Sequence, residues 1–232
     1  MIIRHTRLFI QFSKRLSKQL RIPQPQQTRT MRLPYAPNTP STSADNDIYT
    51  RIAERRHPRP LIPLDLTLLH SPPLADGWNS FIGAIRSSTQ LDQGLLEMAV
   101  SRVAVLTDAV YEWNAHAPLA LKGGTKPDAL RAVRSVPCTA SAGEGEKELQ
   151  ESALSGLQRA VVRYTDQMTV RVKVDDEVFA GLKHEGLSDR EVVELTTGVA
   201  GYNCVSRVLV ALDVGENNGR EMKSVEDLVA GL

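Results

Sequence analysis

Sulfur is scarce in this chain. Its 232 residues include two cysteines, Cys138 and Cys204. Neither belongs to a CxxC or stands in ligand spacing with histidines, so the sequence supports neither a zinc site nor a disulfide framework. A reducing compartment, the cytoplasm by default, follows. Aromatics are also few, 5% of residues against 41% hydrophobic overall. With Ala, Val and Leu abundant, that balance favours helix-on-helix packing over a sheet sandwich, and the expected class is all-α. No apolar run approaches the roughly 20 residues of a membrane span, so a soluble protein with no membrane partner is expected. Acids are missing from one end. Of the 28 basic and 27 acidic residues, eight basic and no acidic ones fall in residues 1–43, which leaves the other 20 and all 27 to residues 44–232. The acidic remainder has no basic stripe to match a phosphate backbone, and nucleic acid is not an expected partner.

The acid-free end has a pattern of its own. In "MIIRHTRLFIQFSKRLSKQL", Ile3, Leu8, Phe12, Leu16 and Leu20 fall near one helical face among Arg and Lys. This is the amphipathic, acid-poor composition of a mitochondrial presequence. The competing reading is a mis-assigned start, with Met31 the working one. Either way residues 1–45 read as a basic, disordered leader, residues 46–222 as the folded domain and residues 223–232 as a C-terminal tail.

Within the domain the periodicity predicts a short helix near 64–70 and another over 74–87, with Trp78, Phe81, Ile82 and Ile85 on one face. A long helix runs from an N-cap at Asp92 to about residue 116, where Pro118 should end or kink it. A short helix near 125–134, an amphipathic one over 147–171 and a further short one after Val174 follow. Ser188 and Glu191 form a capping box that opens a long apolar helix. The stretches "LDQGLLEMAVSRVAVL" and "LSDREVVELTTGVAGY" share a capped start, a glutamate (Glu97, Glu194) and a small-residue apolar run, a weak internal helical repeat in which Asp213 falls near the place of His116.

"VYEWNAHAP" carries the candidate chemistry. Glu112 and His116 are i, i+4 neighbours; a carboxylate there would fix one imidazole tautomer and favour the imidazolium, equipping it for proton transfer. Glu97 lies upstream on the same wide face. The plain alternative is a solvated helix face. Tyr111 and Trp113 are candidates for a pocket wall, as is Tyr202 on the later helix beside Asn203 and Cys204. Arg102 and Arg207 are candidate cations for a carboxylate substrate; the alternative for each is an ion pair within the fold. Histidines 5, 57, 70 and 184 lack ligand spacing and no phosphate-cradling glycine loop occurs, so neither metal nor cofactor is expected.

The segment "LLEMAVSRVAVLTDAVYEWNAHAPLALKGG" resembles the core motif of the carboxymuconolactone decarboxylase family, which includes the alkylhydroperoxidase D-like proteins. Glu97 matches its early glutamate, His116 its histidine, and Gly123 or Gly124 its closing turn. Over roughly residues 50–220 the chain is similar to fungal-type members. The resemblance implies an alkylhydroperoxidase D-like helical bundle that assembles into homo-oligomers, trimers or hexamers, with pockets at subunit contacts. In the peroxidase branch two cysteines three apart precede the histidine; they would fall on Ala109 and Glu112. The resemblance therefore implies the decarboxylase branch, a carbon–carbon lyase or isomerase acting without a cofactor on a lactone or cyclic carboxylic acid, with His116, Glu112 and Glu97 as its catalytic residues. A peroxide-reducing antioxidant protein and a non-catalytic oligomeric binding protein are the rival readings.

Overall fold

In the computed structural model, which describes residues 31–232 apart from 142 and 144, eleven α-helices follow one another and no strand occurs among the described residues. The presequence-like segment lies outside the described residues. The expected all-α class is what the chain adopts.

The centre is a helical hairpin of α4 (Gln93–Leu106) and α5 (Val110–Lys122). Asp92 caps α4 by accepting from the Leu95 amide at 2.7 Å, satisfying one of the orphan donors of the first turn. From Gly94 to Ala104 every residue of α4 is buried, Glu97, Ser101 and Arg102 among them, so the helix is enclosed on all sides, as a central helix is. The single long helix expected over 92–116 is thus two. Asp108 adopts a left-handed φ of 53°, a conformation Asp tolerates better than most residues, and the chain reverses there.

Two further expectations fail at α5. Pro118 lies inside the helix, which continues to Lys122 instead of ending near His116. The last turn is held by tertiary contact, because Gly94 and Gly123 pack backbone to backbone: a Cβ on Gly94 would stand 2.1 Å from the Gly123 carbonyl oxygen. Tertiary packing overrides local propensity in this way.

The other helices enclose the hairpin. Helix α8 (Gly156–Val170) packs on α4, as does α10 (Asp189–Leu212), whose Gly198 makes room for Leu96. The expected helix over 147–171 is divided into α7 (Glu146–Glu151) and α8, with Ser155 and Gln158 forming a capping box at the second start. The Ser188–Glu191 box opens α10 as expected. Helix α10 is long and apolar enough to cross a membrane by length and composition, against the expectation that no run would be. Here Val192, Leu195, Val199, Tyr202, Val205 and Leu209 of that helix are buried in the bundle.

On one flank stand α1 (Asn46–Arg56), α2 (Pro63–Leu68) and α3 (Pro72–Ser87). On α3, Ile82 and Ile85 are buried while Phe81 stays 43% exposed. Helix α6 (Pro127–Ser135) follows the hairpin and α9 (Asp176–His184) follows α8. Both ends of the described chain pack down. The Arg32 amide donates to the Leu212 carbonyl and the Ala36 amide to the Leu66 carbonyl, each at 3.1 Å, and Met31 is buried; residues 31–36 are therefore not disordered. The tail forms α11 (Val225–Ala230), with Val225 and Leu228 buried.

The internal repeat has a structural trace in a different register. Helices α4 and α10 are both followed by an Asp at φ 53°, Asp108 and Asp213. In each case the next amide reaches back five residues, Ala109 to Ala104 and Val214 to Leu209, at 2.9 Å. Asp213 thus matches Asp108, not His116, because helix ends align and the glutamates do not.

Candidate functional site

Reversal of the chain at Asp108 brings α5 back along α4, and the histidine meets a carboxylate from the opposite arm of the hairpin. His116 donates from Nδ1 to Glu97 Oε2 at 2.5 Å, both side chains being buried. The carboxylate fixes the ring tautomer, so Nε2, which has no hydrogen-bond partner among the described residues, is the nitrogen left for a ligand. Glu97 also faces Arg86 of α3 at 3.6 Å through Oε1. Arg86 donates to the Tyr202 hydroxyl at 3.3 Å, and the Tyr202 ring meets the imidazole edge-on, centroids 4.7 Å apart. Burial, opposed by Arg86 and reinforced by the Glu97 charge, pushes the Tyr202 hydroxyl up to about 12. It remains a neutral donor.

The dyad expected between Glu112 and His116 does not form. The i, i+4 spacing puts them on one face, but Glu97 already occupies Nδ1. Glu112 is 1% exposed and neither of its carboxyl oxygens has a hydrogen-bond partner. Burial, with the Glu97 charge adding to it, raises its pKa well above the ordinary carboxylate value of 4.5.

These groups open onto a cavity of about 480 Å3. Trp78 and Ile82 from α3, Leu119 from α5, and Val205 and Leu209 from α10 form apolar wall. Four guanidinium groups line it, Arg55, Arg56, Arg59 and Arg86. Arg56 is held by Asp65 through two bonds of 2.7 and 2.8 Å. Arg55 lies 3.6 Å from the same carboxylate and donates to Asn79. Arg59 is exposed and forms no ion pair among the described residues. Against these four cations stand two committed carboxylates, Asp65 and Glu97. The cavity is electropositive and suits an anion with an apolar body. Among the described residues no group of three or more His, Cys, Asp or Glu is placed to hold a metal ion.

The other sequence candidates divide. Tyr111 and Tyr202 line the cavity. Trp113 is fully buried elsewhere and donates from Nε1 to the Lys223 carbonyl at 2.9 Å; two residues on from Tyr111 in the same helix, it faces another side. Arg102 is 1% exposed and committed to Asp166 at 2.6 and 2.8 Å, with the Val133, Val136 and Pro137 carbonyls taking its remaining protons. It has nothing left for a substrate. Arg207 is exposed, donates to Asn203, and lines a separate shallow groove with Asn203 and Cys204. The cations of the site are instead Arg86 and the Arg55–Arg59 cluster, which sequence reasoning missed. The run "ERRHPRP" was the available signal.

The chain shares its fold with alkylhydroperoxidase D-like helical proteins. Residues 72–152 match the carboxymuconolactone decarboxylase family, the resemblance first carried by Glu97, His116 and the glycine turn. Two peroxidase-related proteins of uncharacterized function share the fold. The alkylhydroperoxidase AhpD core protein from Ralstonia eutropha JMP134 has TM-score 0.62 and 18% identity, with 80% of this chain and 92% of that one covered. The protein from Silicibacter sp. TM1040 has TM-score 0.61 and 14% identity, with 82% and 95% covered. The debrominase Bmp8, in complex with 2,3,4-tribromopyrrole, has TM-score 0.54 and 16% identity over 83% and 95%. No curated protein sequence matches the chain.

Proposed function

We propose that the protein is a cofactor-independent lyase that decarboxylates, or isomerises, a lactone or cyclic carboxylic acid by acid–base catalysis at His116. The observation that carries this reading is the 2.5 Å contact between His116 Nδ1 and Glu97 at the wall of an arginine-lined cavity. Glu97 orients the ring, Nε2 moves the proton, and the guanidinium groups hold the carboxylate. Loss of CO2 leaves an enolate-like carbanion that needs charge stabilisation and then a proton, and both kinds of group stand at the cavity. Assembly into a homo-oligomer, a trimer or hexamer, belongs to the same reading.

Dithiol peroxide reduction needs an attacking thiolate and a resolving sulfur. Ala109 and Glu112 occupy the two positions where the peroxidase branch has them, and neither cysteine lines the cavity. The test is turnover of a panel of carboxylated lactones and β-keto acids by the wild type, His116→Ala and Glu97→Gln. Equal rates for all three sink the proposal.

A further inference from the structure

Five acids are buried in the described residues: Asp65, Glu97, Glu112, Asp166 and Asp213. Four of them show what a buried carboxylate requires. Asp65 accepts from Arg56 and the Ile62 amide, and Glu97 from His116. Asp166 accepts from Arg102 and Thr139, and Asp213 from the Asn218 amide. Glu112 alone has no donor on either oxygen, although it is as deeply buried as the others and lines the cavity. An ionised carboxylate without donors is strongly penalised away from water.

The charged and titratable neighbours do not reverse this. Glu97 from α4 adds a like charge. Arg86 from α3 is shared between Glu97 and Tyr202, and Arg56 from α1 is engaged by Asp65. Arg55 lies against Asp65 and Asn79, Arg59 stands at the exposed rim, and His116 on the same helix is turned to Glu97. The first turn of α5 favours an anion, but that effect is smaller than the loss of water around an unpaired carboxylate.

We propose that Glu112 is kept as the neutral carboxylic acid and donates its O–H to the substrate oxygen on which negative charge collects. This deepens the acid–base reading of the cavity and rests on it. When the carbon–carbon bond to the departing carboxylate breaks, CO2 leaves and the bonding pair passes through the adjacent carbon to the carbonyl oxygen. Glu112 stabilises that oxygen by a hydrogen bond and keeps its proton, while His116 as imidazolium delivers a proton to carbon and is reprotonated from solvent. A donor fixed in a water-poor wall is the kind of group that stabilises such an oxygen most effectively.

Infrared difference spectra between the full-length protein and Glu112→Gln test the protonation without any substrate. At pH 7 the wild type shows a protonated-carboxyl band that the variant lacks; an ionised carboxylate in its place overturns the proposal. On the carboxylated-lactone panel, Glu112→Ala loses about 100- to 1000-fold in kcat, and Glu112→Gln, which retains a neutral donor, loses clearly less. Equal losses in two variants that both fold by circular dichroism overturn the donor role. The two proposals fail separately. A band at pH 7 with turnover indifferent to His116→Ala removes the reaction and leaves the neutral acid, whereas His116-dependent turnover without the band does the reverse.

Discussion

Glu97 and His116, 19 residues apart in the chain, meet at 2.5 Å across a turn that no helix-wheel projection of the segment contains. The carboxylate can accept but not donate, so the ring donates from Nδ1 and leaves Nε2 for the cavity that His116 lines. Replacing Glu97 by Gln lets the ring turn over to its other tautomer. Turnover should fall by about 100- to 10000-fold, matching His116→Ala within that range. Single-turnover kinetics on an active lactone check this, with little change in KM.

Arg59 is the cavity arginine without an ion pair among the described residues. As an exposed group it contributes modestly, so Arg59→Gln should weaken an anionic ligand by about twofold to fivefold. The loss should appear in KM, leave kcat intact and shrink as ionic strength rises. Isothermal titration at two salt concentrations distinguishes this from a change in fold.

Arg102, in contrast, belongs to stability. Arg102→Met strands the fully buried Asp166 carboxylate, and breaking such a pair costs about 3–5 kcal/mol. Urea unfolding should show that loss, and a variant that remains folded should bind ligand as the wild type does.

Two glycines give opposite outcomes for one substitution. Gly94→Ala drives a methyl group into the Gly123 carbonyl and should destabilise by about 1–3 kcal/mol. Gly77, exposed in α3 with nothing within 4 Å of an added Cβ, should gain about 0.5–1 kcal/mol as Ala. Paired thermal melts decide both.

Glu112 also sets a pH dependence. Its pKa is raised in the folded protein, so the folded state binds the proton more tightly than the unfolded chain. Its contribution is fully present below the ordinary value of 4.5, and is lost as pH rises toward the folded value. Unfolding free energies of wild type minus Glu112→Gln should therefore fall with pH above 4.5; a flat difference from pH 5 to 8 contradicts the raised pKa.

Much of the fold was legible in the sequence. The Asp92 cap, the Ser188–Glu191 capping box, the apolar runs and the glycine turn are local signals, and the helix starts they announce are present. The break at Asp108 was not legible, because "VLTDAVYE" has no Gly or Pro and the reversal is imposed by packing of the two arms. That single omission misassigned the partner of His116, since i, i+4 spacing pointed to Glu112 while the hairpin supplies Glu97. The arginines show the same limit. Arg102 looked available from its place in a helix, but only the tertiary structure reveals Asp166 beneath it, and only there do Arg55, Arg56 and Arg59 converge on Arg86.

The left-handed turn at Asp108 makes the opening coil of α5 a fitting that can be changed without rebuilding the machine. Ala109 is the cap of that coil and Glu112 lies within its first turn, while the Glu97–His116 contact is anchored one turn further on and on the neighbouring helix. The two side chains at the start of the coil can therefore be exchanged while that contact stays where it is.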